Sequence, residues 1–317
     1  MKAVYVEKPG GPENLIYGDL PKPAAGPGQA LVKIAAAGVN YIDVYFRIGL
    51  YPATPPVVLG NEGAGTVEAV GPDVTNLRPG DRVAYAMARG SYAEYAVVPA
   101  WQLVKIPASV DFQTAAAAML QGMTAHYLTH STYPLKSGDS CLVHAAAGGT
   151  GRMLVQMAKM RGARVVGTVG DEEKARQAKE AGADEVIVYT KEDFVAKVKG
   201  TMNVVYDSVG KSTFLQSLDC LRPRGMMVTF GNASGPAPDF SPLLLTQKGS
   251  LFLTRPSLAA YSSTQEELDW RANDVLNWVS QGKLKLHIHK VYPLADAAQA
   301  QRDLEGRKTT GKLLLIP

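Results

Sequence analysis

The sequence predicts an α/β protein in two parts, a β-rich, barrel-like region followed by a doubly wound parallel sheet. Residues 1 to about 110 run in short, alternating Gly-, Pro-, Val- and Tyr-rich segments parted by turn strings. From Ser140 onward, apolar strand patterns alternate with helical ones, the signature of a parallel sheet covered on both faces. Between the first of those strands and its helix stands His144-Ala-Ala-Ala-Gly-Gly-Thr-Gly151, which turns the chain sharply where side chains would obstruct it.

In the first part, Lys2 to Val6, Ala30 to Ala36, Gly65 to Val70, Arg82 to Tyr85 and Tyr92 to Val98 read as strands, with turns at Gly71-Pro-Asp73 and Pro79-Gly-Asp81. Ala115 to His130 turns helical. The parallel series then reads Ser140 to Val143, Arg164 to Val169, Glu185 to Tyr189, Asn203 to Asp207, Met226 to Phe230 and Ser250 to Thr254. Its first helix, Arg152 to Arg161, is closed by Gly162. Thr264 to Glu267 is a capping-box string opening a long helix to about Gln281, and Val291 and Leu313 to Ile316 read as closing strands.

Composition bounds the function. A chain of 317 residues exceeds one ordinary core, and 46% apolar with 20% charged residues is globular usage. The 33 basic and 29 acidic residues leave +4, with no run of five basic residues, so nucleic acid is not an expected partner. Cys141 and Cys220 fall in apolar patterns and no cysteines stand at metal spacing, which points to a reducing compartment without structural zinc. The first apolar run stops at Glu7 and no stretch of about 18 apolar residues occurs, so the expectation is a cytoplasmic protein with no membrane partner.

The glycine corner aims the first N–H groups of its helix outward, the arrangement that takes a dinucleotide's pyrophosphate. NAD sites place a carboxylate at the tip of the second strand for the ribose 2′-hydroxyl. Here that strand ends in Val169-Gly170, and Asp171 reads as the cap of the following helix. Lys174 lies one turn further in and Tyr189 ends the next strand. A glycine, an ammonium and a phenol suit a 2′-phosphate, so NADPH is favoured over NADH. Lys174 on its own also suits an ordinary solvated helix position.

The strings Gly38-Val-Asn-Tyr-Ile-Asp43, Arg47-Ile-Gly-Leu-Tyr-Pro52, Gly60-Asn-Glu-Gly-Ala-Gly65, His144 to Gly151, Val205-Tyr-Asp-Ser-Val-Gly210, Phe230-Gly-Asn-Ala-Ser-Gly235 and Thr254-Arg-Pro-Ser257 span nearly the whole chain. Together they resemble the medium-chain dehydrogenase/reductase superfamily, and within it the zinc-free quinone oxidoreductases related to zeta-crystallin, in particular the bacterial NADPH:quinone reductases. The resemblance implies a GroES-like β-barrel catalytic domain over 1–120 and 261–317 and a Rossmann NADPH-binding domain over 121–260. Zinc-dependent relatives carry a Cys and a His at two places that hold Asn40 and Asn61 here, the latter beside Glu62. Amides offer zinc neither a thiolate nor an imidazole nitrogen, so no metal is expected.

By the same resemblance, the nicotinamide end falls to Asn40, Asp43, Thr124 and Tyr127, with Phe230 and Asn232 near the ring or its ribose. The diphosphate falls to Gly148, Gly149 and Thr150; the adenosine-phosphate end to Gly170, Lys174 and Tyr189, with Ser208, Ser234 and Arg255 from later loops. Tyr45 and Tyr51 line a substrate pocket or pack the barrel; with Asn40 they are the catalytic candidates. The implied reaction moves reducing equivalents from NADPH to a quinone without metal. Two alternatives stay open: reduction of an activated double bond in an enone or alkenal, and a non-catalytic NADPH-binding or RNA-binding role. A homodimer is expected through the sheet-edge strand Ser250 to Thr254.

Overall fold

The computed structural model describes residues 1–307 and 309–317. The chain divides into two compact units, Met1–Met123 with Ser262–Pro317, and Thr124–Tyr261.

The first unit is built from β1 (Lys2–Val6), β2 (Ile16–Asp19), β3 (Gln29–Val39), α1 (Tyr41–Arg47), β4 (Val57–Val58), β5 (Glu62–Val70), β6 (Arg82–Ala86), β7 (Tyr95–Pro99), β8 (Val104–Lys105) and the start of α2 (Phe112–Tyr127). Its large sheet runs antiparallel through β3, β5, β6 and β8, with β7 also on β3, while β2, β1 and β4 form a smaller sheet. Val32, Ile34, Val67, Val83, Tyr85 and Val98 fill the space these strands enclose. α1 is too short to hold itself together and is pinned at its end: buried Arg47 donates to Gln301 Oε1 at 2.6 Å, to both carboxylate oxygens of Glu305 at 2.8 and 2.9 Å, and to the Gly10 carbonyl at 3.0 Å.

The second unit holds β9 (Ser140–His144), α3 (Gly149–Met160), β10 (Arg164–Val169), α4 (Glu172–Glu180), β11 (Glu185–Val188), α5 (Phe194–Val198), β12 (Met202–Asp207), α6 (Phe214–Cys220), β13 (Leu221–Thr229), α7 (Leu243–Gln247), β14 (Phe252–Thr254) and α8 (Leu258–Tyr261). Its strands are all parallel, in the order β11-β10-β9-β12-β13-β14. That is the Rossmann order, with the chain reversing direction across the sheet between β9 and β12. Helices cover both faces, so β12 is buried at every residue.

The chain then returns to the first unit with α9 (Gln265–Ser280), β15 (Ile288–Pro293), α10 (Ala297–Glu305) and β16 (Lys312–Ile316). Thr264 caps α9, its hydroxyl accepting from the Glu267 N–H at 3.2 Å. β16 pairs antiparallel with β3, Leu313 opposite Val39 and Leu315 opposite Ala37, and closes the large sheet with β15 on its far side.

Several boundaries differ from the sequence expectation. The strand expected from Tyr92 begins at Tyr95, because Tyr92 turns inward and Ala93 makes only an isolated bridge to Ala3. The helix expected to reach His130 ends at Tyr127 and gives way to a π turn, Leu128–Thr132. The edge strand expected from Ser250 starts at Phe252, since Ser250 adopts φ +56°. The short elements α1, β2, β4, β8 and α10 lack a periodic pattern long enough to read.

His144 is core, as its place in an apolar strand suggests. Its ring nitrogens meet Thr168 Oγ1 at 2.8 Å and Ser217 Oγ at 2.9 Å, and burial holds the imidazole below its ordinary value of 6.5. The unfolded chain takes up a proton at acid pH that the folded chain refuses, so this contribution is complete above pH 6.5 and lost as pH falls below it. Between about pH 7.5 and about pH 5.5 the urea midpoint of the wild type is expected to fall further than that of His144→Asn.

Candidate functional site

The glycine corner lies where β9 ends and α3 begins. Gly148 is the N-cap of α3, in extended conformation, and no side chain caps the helix. Its first-turn N–H groups, with the positive end of the helix dipole, are therefore presented by backbone alone, at Gly149, Thr150 and Gly151. The corner depends on Gly151, where a Cβ would overlap the Ala145 carbonyl oxygen and sit 3.0 Å from Ala146 Cα.

At the ends of the next two strands, Gly170 and Tyr189 come together: a Cβ on Gly170 would stand 3.0 Å from the Tyr189 hydroxyl, and the Tyr189 ring is exposed. Asp171 caps α4, accepting from the Lys174 N–H at 2.8 Å, and its other oxygen pairs with the Lys174 ammonium at 3.1 Å. Backbone and side-chain bonds from Lys174 hold the Asp171 carboxyl below its ordinary value. The sequence reading of Asp171 as a cap is thus borne out. A phosphate dianion is a stronger partner for Lys174 than a carboxylate already occupied by a cap.

The loops after β12 and β13 pack on each other. Asp207 ties the first of them, accepting from the Val209 N–H at 2.7 Å, the Gly210 N–H at 3.1 Å and the Thr213 hydroxyl. The Ala233 N–H donates to the Ser208 carbonyl at 3.2 Å, and the Ser234 hydroxyl donates to the Val209 carbonyl at 2.8 Å. Ser208, Phe230, Asn232 and Ser234 are thereby gathered at the carboxyl ends of β12 and β13, where doubly wound sheets take their ligands. Arg255 follows β14 and donates to the Thr229 carbonyl at 3.3 Å. Thr124 and Tyr127 stand one turn apart on α2, and the buried Tyr127 ring stacks on Tyr261 at 4.6 Å.

In the first unit, three neighbouring strands bring Asn40, Glu62 and Lys312 together: β3 ends at Val39, β5 begins at Glu62, and β16 begins at Lys312. Lys312 Nζ donates to Asn40 Oδ1 at 2.7 Å and forms a short ion pair with Glu62 Oε2. Asn40 Nδ2 donates to Glu62 Oε2 at 2.9 Å, and the Leu120 N–H donates to Glu62 Oε1 at 2.6 Å. Two longer bonds complete the amide, from Gln121 Nε2 to Asn40 Oδ1 at 3.3 Å and from Asn40 Nδ2 to the Gly38 carbonyl at 3.4 Å.

Beside this chain of bonds, the fully buried Asp43 carboxylate accepts from the Asn40 N–H at 2.9 Å, from Asn61 Nδ2 at 2.7 Å and from the Tyr92 hydroxyl at 3.1 Å. Burial pushes its pKa to about 6 against the pull of those donors. Tyr45 and Tyr51 are brought together on and just after α1, ring centroids 5.3 Å apart and edge to face, with Phe46 against Tyr51 at 5.7 Å. Tyr45 is buried and Tyr51 half-buried, so both pack the barrel and only Tyr51 keeps much open face.

These donors do not suit a metal. Asn40 and Asn61 are amides committed to hydrogen bonds, and the Lys312 ammonium already neutralises Glu62 beside them. Among the described residues no three His, Cys, Asp or Glu side chains group around a metal position. The sequence reading missed Lys312 and Tyr92. A lysine opening an apolar strand reads as solvated, and only the register of β16 on β3 shows that it is buried.

Known families match both parts of the chain: the alcohol dehydrogenase GroES-like domain over residues 26–108 and the zinc-binding dehydrogenase family over residues 181–315. A quinone oxidoreductase of Pseudomonas aeruginosa is 46% identical over 315 residues, covering 97% of each chain. A 2-haloacrylate reductase of a Burkholderia species is 41% identical over 331 aligned positions, covering 99% of this chain and 98% of its own. Among solved structures, an Escherichia coli quinone oxidoreductase complexed with NADPH superposes with a TM-score of 0.98 at 42% identity, covering 100% of both chains.

Proposed function

The chain belongs to the quinone oxidoreductase family of the medium-chain dehydrogenase/reductases, and from that premise we propose that it passes reducing equivalents from NADPH to a quinone without a metal. The observation that carries the cofactor is the uncapped start of α3 at Gly148–Thr150, in a fold shared at 42% identity with a protein complexed with NADPH. Gly149 and Thr150 offer backbone N–H groups to the diphosphate. Gly170, Lys174 and Tyr189 take the 2′-phosphate, with Ser208, Ser234 and Arg255 on the adenosine side. Asn40, Asp43, Thr124 and Tyr127, with Phe230 and Asn232, serve the nicotinamide end.

NADPH supplies the reducing power when bound. The chain supplies proximity, orientation and exclusion of water. A quinone accepts reducing equivalents readily, and the oxygen that results takes its proton from water or a tyrosine hydroxyl, so no Lewis acid is demanded. The amides in place of zinc ligands and the ammonium at Glu62 support this reading. Tyr51 offers its open aromatic face to the flat acceptor, with the buried Tyr45 ring packed edge to face against it.

The test is NADPH consumption against ortho- and para-quinones, enones and alcohols, with NADH as control. Quinones with NADPH are expected to lead, and turnover only of alcohols would reverse the reading. In the same assay Lys174→Ala is expected to weaken NADPH about tenfold and leave NADH unchanged. Equal loss with both cofactors would remove Lys174 from the 2′-phosphate.

The 2-haloacrylate reductase relative favours a second reading, reduction of an activated double bond. That chemistry needs an acid to protonate carbon, whereas quinone oxygen does not. Loss of roughly a thousandfold with Tyr45→Phe or Tyr51→Phe would select it; a loss of less than about tenfold selects quinone.

The exposed Phe252 on edge strand β14, with exposed Leu243 nearby in sequence, supports a homodimer through that edge, which light scattering at micromolar protein tests. A cytoplasmic setting fits the two buried free thiols, Cys141 and Cys220, both pushed up to about 12 by burial. No helix among the described residues is long and apolar enough to cross a membrane.

A further inference from the structure

We propose that Lys312 is the positioning residue of the nicotinamide end: with Glu62 it forms a buried ion pair that fixes the direction of the Asn40 amide at the start of α1. The proposal rests on the reading that NADPH binds with its nicotinamide at Asn40 and Asp43. Lys312 and Glu62 are 2% and 0% exposed in their side chains, and each meets the Asn40 side chain as well as the other.

All four hydrogen-bonding positions of the Asn40 amide are taken, but not equally. The oxygen end is held by the Lys312 ammonium at 2.7 Å and the nitrogen end by the Glu62 carboxylate at 2.9 Å. Both are charge-assisted bonds, and an ammonium can only donate while a carboxylate can only accept, so the amide has one orientation. The bonds to Gln121 and Gly38, at 3.3 and 3.4 Å, are neutral and long. Those are the two that a bound carboxamide or ribose hydroxyl displaces at least cost.

The same charges reach the first turn of α1. The Asn40 N–H is held by Asp43, whose carboxylate also gathers Asn61 and Tyr92. Gly38 makes room for the arrangement, since a Cβ there would overlap the Glu62 carboxylate and stand 2.8 Å from Lys312 Cε. The sheet thus keeps a glycine, an acid and a base on its three adjacent strand ends, β3, β5 and β16, for one amide.

The experiment compares the binding of NADPH with that of 2′,5′-ADP, which carries the adenosine-phosphate end alone. Lys312→Met leaves the Glu62 charge buried and unpaired, so the double variant Lys312→Met/Glu62→Gln is made beside it and its folding checked by thermal melting. Gly38→Ala disturbs the same network without removing a charge. The proposal expects at least a tenfold rise in the NADPH Kd for the double variant and for Gly38→Ala, with the 2′,5′-ADP Kd within about twofold of wild type. Folded variants that bind NADPH as tightly as wild type, or that lose both ligands in parallel, would overturn it. A wild-type protein that binds neither ligand strikes the cofactor reading itself, a result plainly different from a selective loss in the variants.

Discussion

Gly151→Ala is expected to cost about 2–4 kcal/mol of stability and to weaken NADPH by at least about a hundredfold. The added Cβ overlaps the Ala145 carbonyl oxygen and comes within 3.0 Å of Ala145 C and Ala146 Cα, all of them backbone. No flexible side chain can yield, so α3 has to move away from the end of β9 and carries its first N–H groups with it. Gly148→Ala is the control on the same corner. Its Cβ would meet only the Ala145 oxygen, at 3.2 Å, and the backbone there is already extended, so a smaller loss is expected. Urea unfolding with NADPH titration of both variants separates the two. A Gly151→Ala protein with wild-type affinity would show that the corner tolerates a displaced helix.

Arg47→Met is expected to cost about 3–5 kcal/mol, the range for breaking a buried charged group from its partners. The guanidinium is 1% exposed and serves Gln301, Glu305 and the Gly10 carbonyl at once. Methionine fills much of the space and satisfies none of those acceptors. Glu305 is 33% exposed, and Glu305→Gln keeps an oxygen acceptor for the guanidinium, so about 1–2 kcal/mol is expected there. Thermal melts of the two variants give the comparison, and equal losses would mean that the contacts to Gln301 and Gly10 contribute little.

Much of this architecture was legible in the residues because long periodic segments carry their own signal. Arg164–Val169 and Lys2–Val6 read from alternation and flanking turns, and the helix capped by Thr264 read from its capping string. The glycine corner read from its place between strand and helix. What did not read depends on partners distant in sequence. α1 forms because Arg47 reaches residues near the end of the chain, and Tyr92 leaves its strand to donate to Asp43. Lys312 is the clearest case. Its sequence neighbours announce an apolar strand, but its burial follows from pairing with β3, more than 250 positions earlier, which sets its ammonium against Asn40 just past the end of β3 and Glu62 at the start of β5.

The resemblance singled out Asn40 and Asn61, where zinc-dependent relatives carry a Cys and a His, and the structure adds what holds these amides: Asn61 on Asp43, and Asn40 between an acid and a base.

A crystal of the protein grown or soaked with NADPH shows where the cofactor lies. Diphosphate density is expected against the N–H groups of Gly149 and Thr150, with the 2′-phosphate between Lys174 and Tyr189. Density for the cofactor elsewhere with this corner vacant, or a metal ion bound between Asn40 and Asn61, would contradict it.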